Sequence, residues 1–228
     1  MLTAGELQVL GVSFGVALRA VLWSLPLAIA CAYALSRPRW HGKVLLDGLA
    51  HLPLALPPVL VGFLLLALLG RRGPIGHWLD AAFGARLAFT AEGAAIATAV
   101  MTFPLMVRAI RLSFEAADAR LFAAAAALRA GPLDRFLTVA LPLAAPGVLA
   151  GAVTAFAAGL GEFGAVITFA ANIPGETQTL PLAIYSALQT ADGDARAYRL
   201  AALSIALAIA GLIAAEAAQR WARRRLDA

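Results

Sequence analysis

The sequence predicts an all-α membrane protein, a bundle of about five transmembrane helices with a polar, jointed segment between the third and the fourth. Three observations carry that prediction. Hydrophobic residues make up 62% of the 228 positions and charged residues only 14%, with a mean hydropathy of +0.84, whereas a soluble domain covers itself with roughly 25% charge. Whole stretches longer than a bilayer crossing carry no charge. The basic residues gather after alternate apolar runs.

A helix needs about 20 apolar residues to cross the hydrocarbon core, because its backbone groups must be bonded internally there. Five segments qualify: residues 9–36, 50–70, 91–112, 142–171 and 200–219. The first is long enough for a tilted helix, or for a surface turn leading into a span. Arg19 and Pro26 interrupt it, and Pro26 removes a backbone donor and predicts a kink. A separate crossing by residues 2–18 would be too short. The opening MLTAGELQVLG has no basic region and no small-residue cleavage site follows it, so the first run is expected to be retained as a span. Cys31, the single cysteine, reads as a small buried apolar side chain.

The second segment holds Pro53, Pro57 and Pro58, which interrupt its hydrogen-bond ladder; a pore-lining kink and an inert packing kink both fit. The third ends on Arg108 and Arg111, three apart on one face. They fit two readings, focusing positive potential at a cavity mouth and snorkelling as anchors. The fourth holds Glu162 between Gly161 and Phe163, with Gly159 and Gly164 nearby. A carboxylate at that depth is a functional candidate, as a gate or a partner for an arginine, or else an interhelical hydrogen-bonding group.

Charge bookkeeping sets the topology. Arg37, Arg39 and Lys43 follow the first span; Arg108, Arg111, Arg120, Arg129 and Arg135 surround the loop after the third; Arg220, Arg223, Arg224 and Arg225 follow the fifth. These are twelve of the 18 basic residues. Arg19, Arg71, Arg72, Arg86, Arg196 and Arg199 fall on the other side. The positive-inside rule makes the first group cytoplasmic, predicting an outside amino terminus and a cytoplasmic carboxyl terminus. The pI near 10.3 is thereby a matter of topology rather than of nucleic-acid binding, and the RWARRR tail reads as a basic cap after a span. The three histidines lack metal-ligand spacing.

Between the third and fourth spans, Phe114 to Ala130 contains helix formers without proline or glycine and predicts one helix, stopped by Gly131 and Pro132. A short polar segment, LDRFLT, leads to Leu141 and Pro142. The run from Ala123 to Ala127 presents almost no side-chain bulk, which suits close approach of a partner or of the chain's own bundle.

This segment resembles the cytoplasmic coupling motif of ABC-importer permeases, Glu-Ala-Ala, three residues, Gly, nine residues, Ile, one residue, Leu-Pro. The matching positions are Ala124, Ala125, Val139, Leu141 and Pro142, with Ala123 in the place of the glutamate and Arg129 in that of the glycine. Glu115-Ala116-Ala117 offers the right letters at the wrong spacing. HLPLALPPVLVG (51–62), GRRGPIG (70–76), FPLMVRAIRLSFE (103–115) and GEFGAVITFAANIPGETQTLPLAIYS (161–186) narrow the resemblance to molybdate permeases, a branch close to the sulfate and thiosulfate permeases.

The resemblance implies a type I ABC-importer permease, one transmembrane domain over 1–228, working in the bacterial inner membrane as a homodimer. It implies cytoplasmic ABC ATPase subunits that bind ATP and Mg2+, and a periplasmic molybdate-binding protein. The segment 113–141 would be the coupling segment, with Glu115, Ala124, Ala125, Arg129, Gly131, Leu141 and Pro142 meeting the ATPase. Pro57, Pro58, Arg108, Arg111, Gly161, Glu162 and Gly164 would line or gate the path. Asn172, Pro174, Gly175 and Glu176 would meet the binding protein, although an ordinary external loop fits as well. The chain carries no G-x-x-x-x-G-K-[ST] phosphate loop, so it is not expected to be an enzyme and its energy must come from a partner. Feedback through a regulatory domain after Asp227 is not expected. The rivals are a permease for sulfate, thiosulfate or tungstate, then a secondary transporter or channel, disfavoured because Glu162 is nearly alone. A membrane enzyme is disfavoured because Ser186 and the histidines form no catalytic set.

Overall fold

The computed structural model describes residues 3–37, 41–191 and 193–226. Arg39 and Asp227 lie outside the described residues, as do the side chains of Arg223, Arg224 and Arg225. The regular elements among the described residues are all helices, with no strand among them.

Helix α1 (Ala4–Ser36) begins where Thr3 and Glu6 cap each other reciprocally, and it runs through Pro26 without ending. Helices α2 (Lys43–Ala55) and α3 (Pro58–Leu69) form the expected second span, but not as one rod. The chain breaks at Leu56 and Pro57 and the axes turn by 114°. Consecutive prolines explain the site of the break: Pro57 holds an extended conformation, and Pro58 starts α3 at a position that needs no donor. Helix α4 (Pro74–Phe83) ends on Gly84, whose φ of 64° is the left-handed cap glycine favours.

Helix α5 (Ala91–Glu115), capped by Thr90, is the third span extended by three residues. Helix α6 (Ala119–Ala127) follows after a break. Helix α7 (Pro132–Arg135), a π-helical turn (Phe136–Ala140) and α8 (Leu141–Leu160) run on as one apolar rod, Pro132–Leu160. The fourth span was expected to reach residue 171; instead it stops at Leu160, and α9 (Gly164–Phe169) is a separate short helix. Glycines at 159 and 161 mark that stop. Helices α10 (Leu180–Leu188) and α11 (Asp194–Leu226) complete the chain, α11 starting six residues before the expected fifth span. Among the described residues four helices are long and apolar enough to cross a membrane, and a fifth span exists if the bent α2–α3 pair is counted as one.

The packing centre is α1 against α5 and α5 against α8. Small residues let these backbones approach: a Cβ on Gly159 would stand 2.8 Å from Thr98 Cγ2 and 3.5 Å from Ala17 Cβ, and one on Gly147 would stand 2.6 Å from Ser113 Cβ. Met106, Ile110, Leu35 and Ala144 fill the core toward the end of α1, while Val16, Ala94, Val166 and Phe169 fill it toward the start. Cys31 is buried in the first of these. Glu6 pairs with Arg199 at 3.0 Å, so the start of α1 and the start of α11 share one end of the bundle. Arg37, Arg111, α6 and Arg135 occupy the other.

Candidate functional site

The two helix breaks meet. Gly164 lies against Pro58, and Gly62 lies against the Ala165 carbonyl, where a Cβ would stand 2.6 Å from the oxygen. Thus α3 and α9 pack together over residues that sequence alone left unrelated: Pro58 and Gly164 touch, Pro57 and Glu162 lie near them in the chain, and Gly161 meets only its own helix. Glu162 is half-buried and accepts the Ala165 amide at 2.9 Å. It closes the first turn of α9 across the break. The expected arginine partner is absent from the ion pairs among the described residues, and so is an interhelical bond; the carboxylate serves its own segment. Thr168, unnoticed in the sequence, hydrogen-bonds the Gly164 carbonyl at 2.8 Å on the same short helix.

Arg108 and Arg111 do not act as a pair. Arg111 donates to Glu115 at 2.8 Å and to Asp47 at 3.3 Å, and His51 meets Asp47 at 3.1 Å. Arg108 stays exposed on the same cavity of about 770 Å³, lined also by Lys43. Glu115 therefore sits in this ion-pair cluster and not on α6. Asp47 and His51 were missed because they lie on the bent helix, 64 and 60 positions away in the chain, and no local pattern links them.

The jointed segment departs from the single helix expected over 114–130. Ala116, Ala117 and Asp118 interrupt it, and the Asp118 carboxylate caps α6 by accepting the Arg120 amide at 2.8 Å. The expected stop at Gly131 comes earlier. Arg129 has φ 60°, Ala130 N–H bonds the Ala125 carbonyl at 3.0 Å, and Arg129 N–H bonds that of Ala126 at 3.0 Å. This is a left-handed helix end of the Schellman type. Arg129, at the glycine position of the coupling pattern, thus holds the conformation for which glycine is suited.

No residue of α6 is buried. Leu121 on α6, Leu128 at its end and Leu133 on α7 are exposed, the last two at 84% and 70%, an apolar surface left uncovered among the described residues. Ala124 and Gly131 are exposed too, and Ala125 is half-buried. Phe136 stacks on Tyr33 at 4.7 Å and Tyr33 on Phe114 at 5.3 Å, which ties the segment to α1 and α5. Leu141 and Pro142 begin α8 directly after the π-helical turn. Pro142 has no amide to donate and its ring crowds the preceding turn, which the wider turn accommodates.

At the far end, the loop from Ala171 to Thr179 is held by its own bonds. The Ile173 carbonyl accepts from Glu176, Thr177 and Gln178, Thr177 Oγ1 accepts from Ile173, and Asn172 bonds both Gln178 and Ser186. Asn172 is therefore a frame residue, whereas Pro174, Gly175 and Glu176 form the exposed tip. Gly175, at φ 84°, abuts Gln8 of α1.

The geometry has counterparts among known proteins. The sequence is 52% identical over 225 residues to the Molybdenum transport system permease protein ModB of Escherichia coli, covering 99% of this chain and 98% of that one. It is 48% identical over 222 residues to the protein of the same name in Haemophilus influenzae, covering 97% and 95%. It is 38% identical over 161 residues to the Sulfate transport system permease protein CysT of Escherichia coli, covering 71% and 58%. The fold is similar to that in a crystal structure of a bacterial ABC transporter involved in the import of the acidic polysaccharide alginate, with a TM-score of 0.72, 15% identity, and coverage of 98% of this chain and 80% of that one. Residues 24–227 match the family described as the binding-protein-dependent transport system inner membrane component, and this all-helical, multi-pass chain belongs to that family of inner-membrane permeases.

Proposed function

We propose that this chain is the membrane-spanning permease subunit of an ATP-driven importer for molybdate, with two copies forming the translocation path on a pair of separate cytoplasmic ATPase subunits. The observation that carries the reading is the 52% identity, over nearly the full length of both chains, to a molybdenum transport permease. ATP and Mg2+ are held by the ATPase, a periplasmic binding protein delivers the anion, and this chain performs no chemistry of its own.

The amino terminus is periplasmic and the carboxyl terminus cytoplasmic in this reading. That assignment puts α6 and the larger share of the arginines inside. The uncovered leucines of α6, of its end and of α7 then face the ATPase. Closure of the ATPase pair pushes on α6, the stacked aromatics pass the movement to α1 and α5, and the junction of the α2–α3 and α8–α9 breaks supplies the place where helices change angle. Broken helices at membrane depth are tolerated where they are buried in protein or line a cavity.

The second reading is a permease for sulfate, thiosulfate or tungstate, favoured by the 38% identity to a sulfate permease. Tetrahedral dianions share charge and shape, so the binding protein makes most of the choice. The test is reconstitution with the ATPase and with binding proteins loaded in turn with each oxyanion. ATP-dependent uptake of molybdate above sulfate supports the first reading; uptake of sulfate alone replaces it with the second, and uptake without ATP overturns both.

A further inference from the structure

Arg19 is a cation inside a membrane span with no hydrogen bond or ion pair among the described residues. It lies about 24 Å along α1 from the Thr3 cap. A charge at that depth persists where it faces protein, water or a counter-charge, and the packing of α1 selects among these.

The helix divides its perimeter in three. Val9, Ser13, Val16, Ala17, Ala20 and Ser24 are buried against the bundle. Leu7, Phe14, Leu18 and Leu22 form an exposed apolar face suited to lipid or a second copy. Gln8, Gly11, Gly15 and Arg19, in steps of three and four, line an open cleft of about 630 Å³ bordered also by the start of α5 and the 175–176 loop tip, with Arg19 exposed in it. A Cβ on Gly11 or Gly15 would meet nothing within 4 Å, so the space leading to Arg19 is open.

Two carboxylates share that cavity, Glu92 and Glu176. Neither lies at the depth of Arg19. The loop tip meets α1 at Gln8, about 16 Å nearer the start of the helix. Ala17 lies level with Thr98 across Gly159, and Glu92 precedes Thr98 by about 9 Å of helix. By backbone level the two carboxylates lie nearer the start of α1 and Arg19 lies deeper in the span. An anion that reaches that depth has passed the carboxylates and meets five undirected N–H donors in a planar fork.

We propose that Arg19 contacts the transported tetrahedral oxyanion within the membrane-spanning part of its path. This inference rests on the importer reading above and gives the path an anion contact that neither helix break supplies. Lysine keeps the charge at this place and glutamine removes it.

The experiment uses the complex of this chain with its ATPase in proteoliposomes, given molybdate-loaded binding protein. R19Q lowers uptake about ten- to hundredfold, the loss expected for a charge-assisted contact, and R19K keeps most of it. ATP hydrolysis without binding protein and the yield of complex stay at the wild-type level in both. Uptake by R19Q at the wild-type rate overturns the proposal. In a C31A background, which removes the single native cysteine, R19C is treated with membrane-impermeant methanethiosulfonates. The trimethylammonium reagent restores uptake and the sulfonate reagent does not. A thiol that neither reagent reaches, or equal rescue by both, overturns the proposal. Failure of the importer reading shows separately, as wild-type vesicles that take up no oxyanion, and removes the proposed ligand with it.

Discussion

Gly164 at the start of α9 is pressed against Pro58 at the start of α3, where a Cβ on the glycine would stand 2.7 Å from Pro58 Cβ and 3.3 Å from the Val59 nitrogen. A proline ring at a helix start cannot swing aside as a long flexible side chain can. G164A is expected to cost about 1–3 kcal/mol through overpacking, and G164V more. Thermal unfolding of the purified permease measures this, and wild-type stability in both variants would show that the two breaks do not touch. Uptake should fall with stability if the junction only packs, and further than stability if it moves during transport.

That contact was half legible in the sequence. Pro57 and Pro58 announce a break because two successive residues lack amide donors, and Gly159, Gly161 and Gly164 announce another. Their meeting was not legible, because it joins positions about a hundred residues apart and depends on how α3 leaves the break. The positions of α1 and α5 were readable from hydropathy, short by five residues at the start of α1 and by three at the end of α5. The pairing of Arg111 with Asp47 was not, because it joins two helices across 64 positions of chain.

Arg129 offers a test of the helix end. A non-glycine residue at φ 60° carries roughly 1 kcal/mol of strain that glycine avoids. R129G is therefore expected to leave stability unchanged or raise it by up to about 1 kcal/mol, and to preserve binding of the ATPase. R129V, branched at Cβ, is expected to lower both. If R129G instead abolishes ATPase binding while the fold survives, the guanidinium itself is the contact and the turn is incidental.

The exposed leucines at the end of α6 and on α7 separate docking from folding. Leu128 touches little of its own chain, so L128E and L133E are expected to leave thermal stability within about 0.5 kcal/mol of wild type, as surface substitutions do. Capture of the ATPase by the tagged permease should fall at least tenfold in each if this face is where the ATPase seats. Undiminished capture by the double variant would place the ATPase elsewhere. An equal loss on replacing Val44, exposed on α2, would make the effect one of general surface charge.

Glu162 has a structural duty that can be separated from any duty in transport. Its Oε1 accepts the Ala165 amide, and glutamine keeps an acceptor oxygen at that position whereas alanine removes it. E162A is expected to lose about 1 kcal/mol of stability, the usual worth of a side-chain cap, and E162Q only a few tenths. If the carboxylate merely caps α9, uptake follows that order, with E162Q near wild type at every substrate concentration. If its charge takes part in gating, E162Q transports poorly despite its preserved cap, and the ratio of ATP hydrolysed to anion moved rises. Measuring stability, uptake and hydrolysis on the same preparations decides between them, because only a role for the charge separates E162Q from wild type while leaving the fold alone.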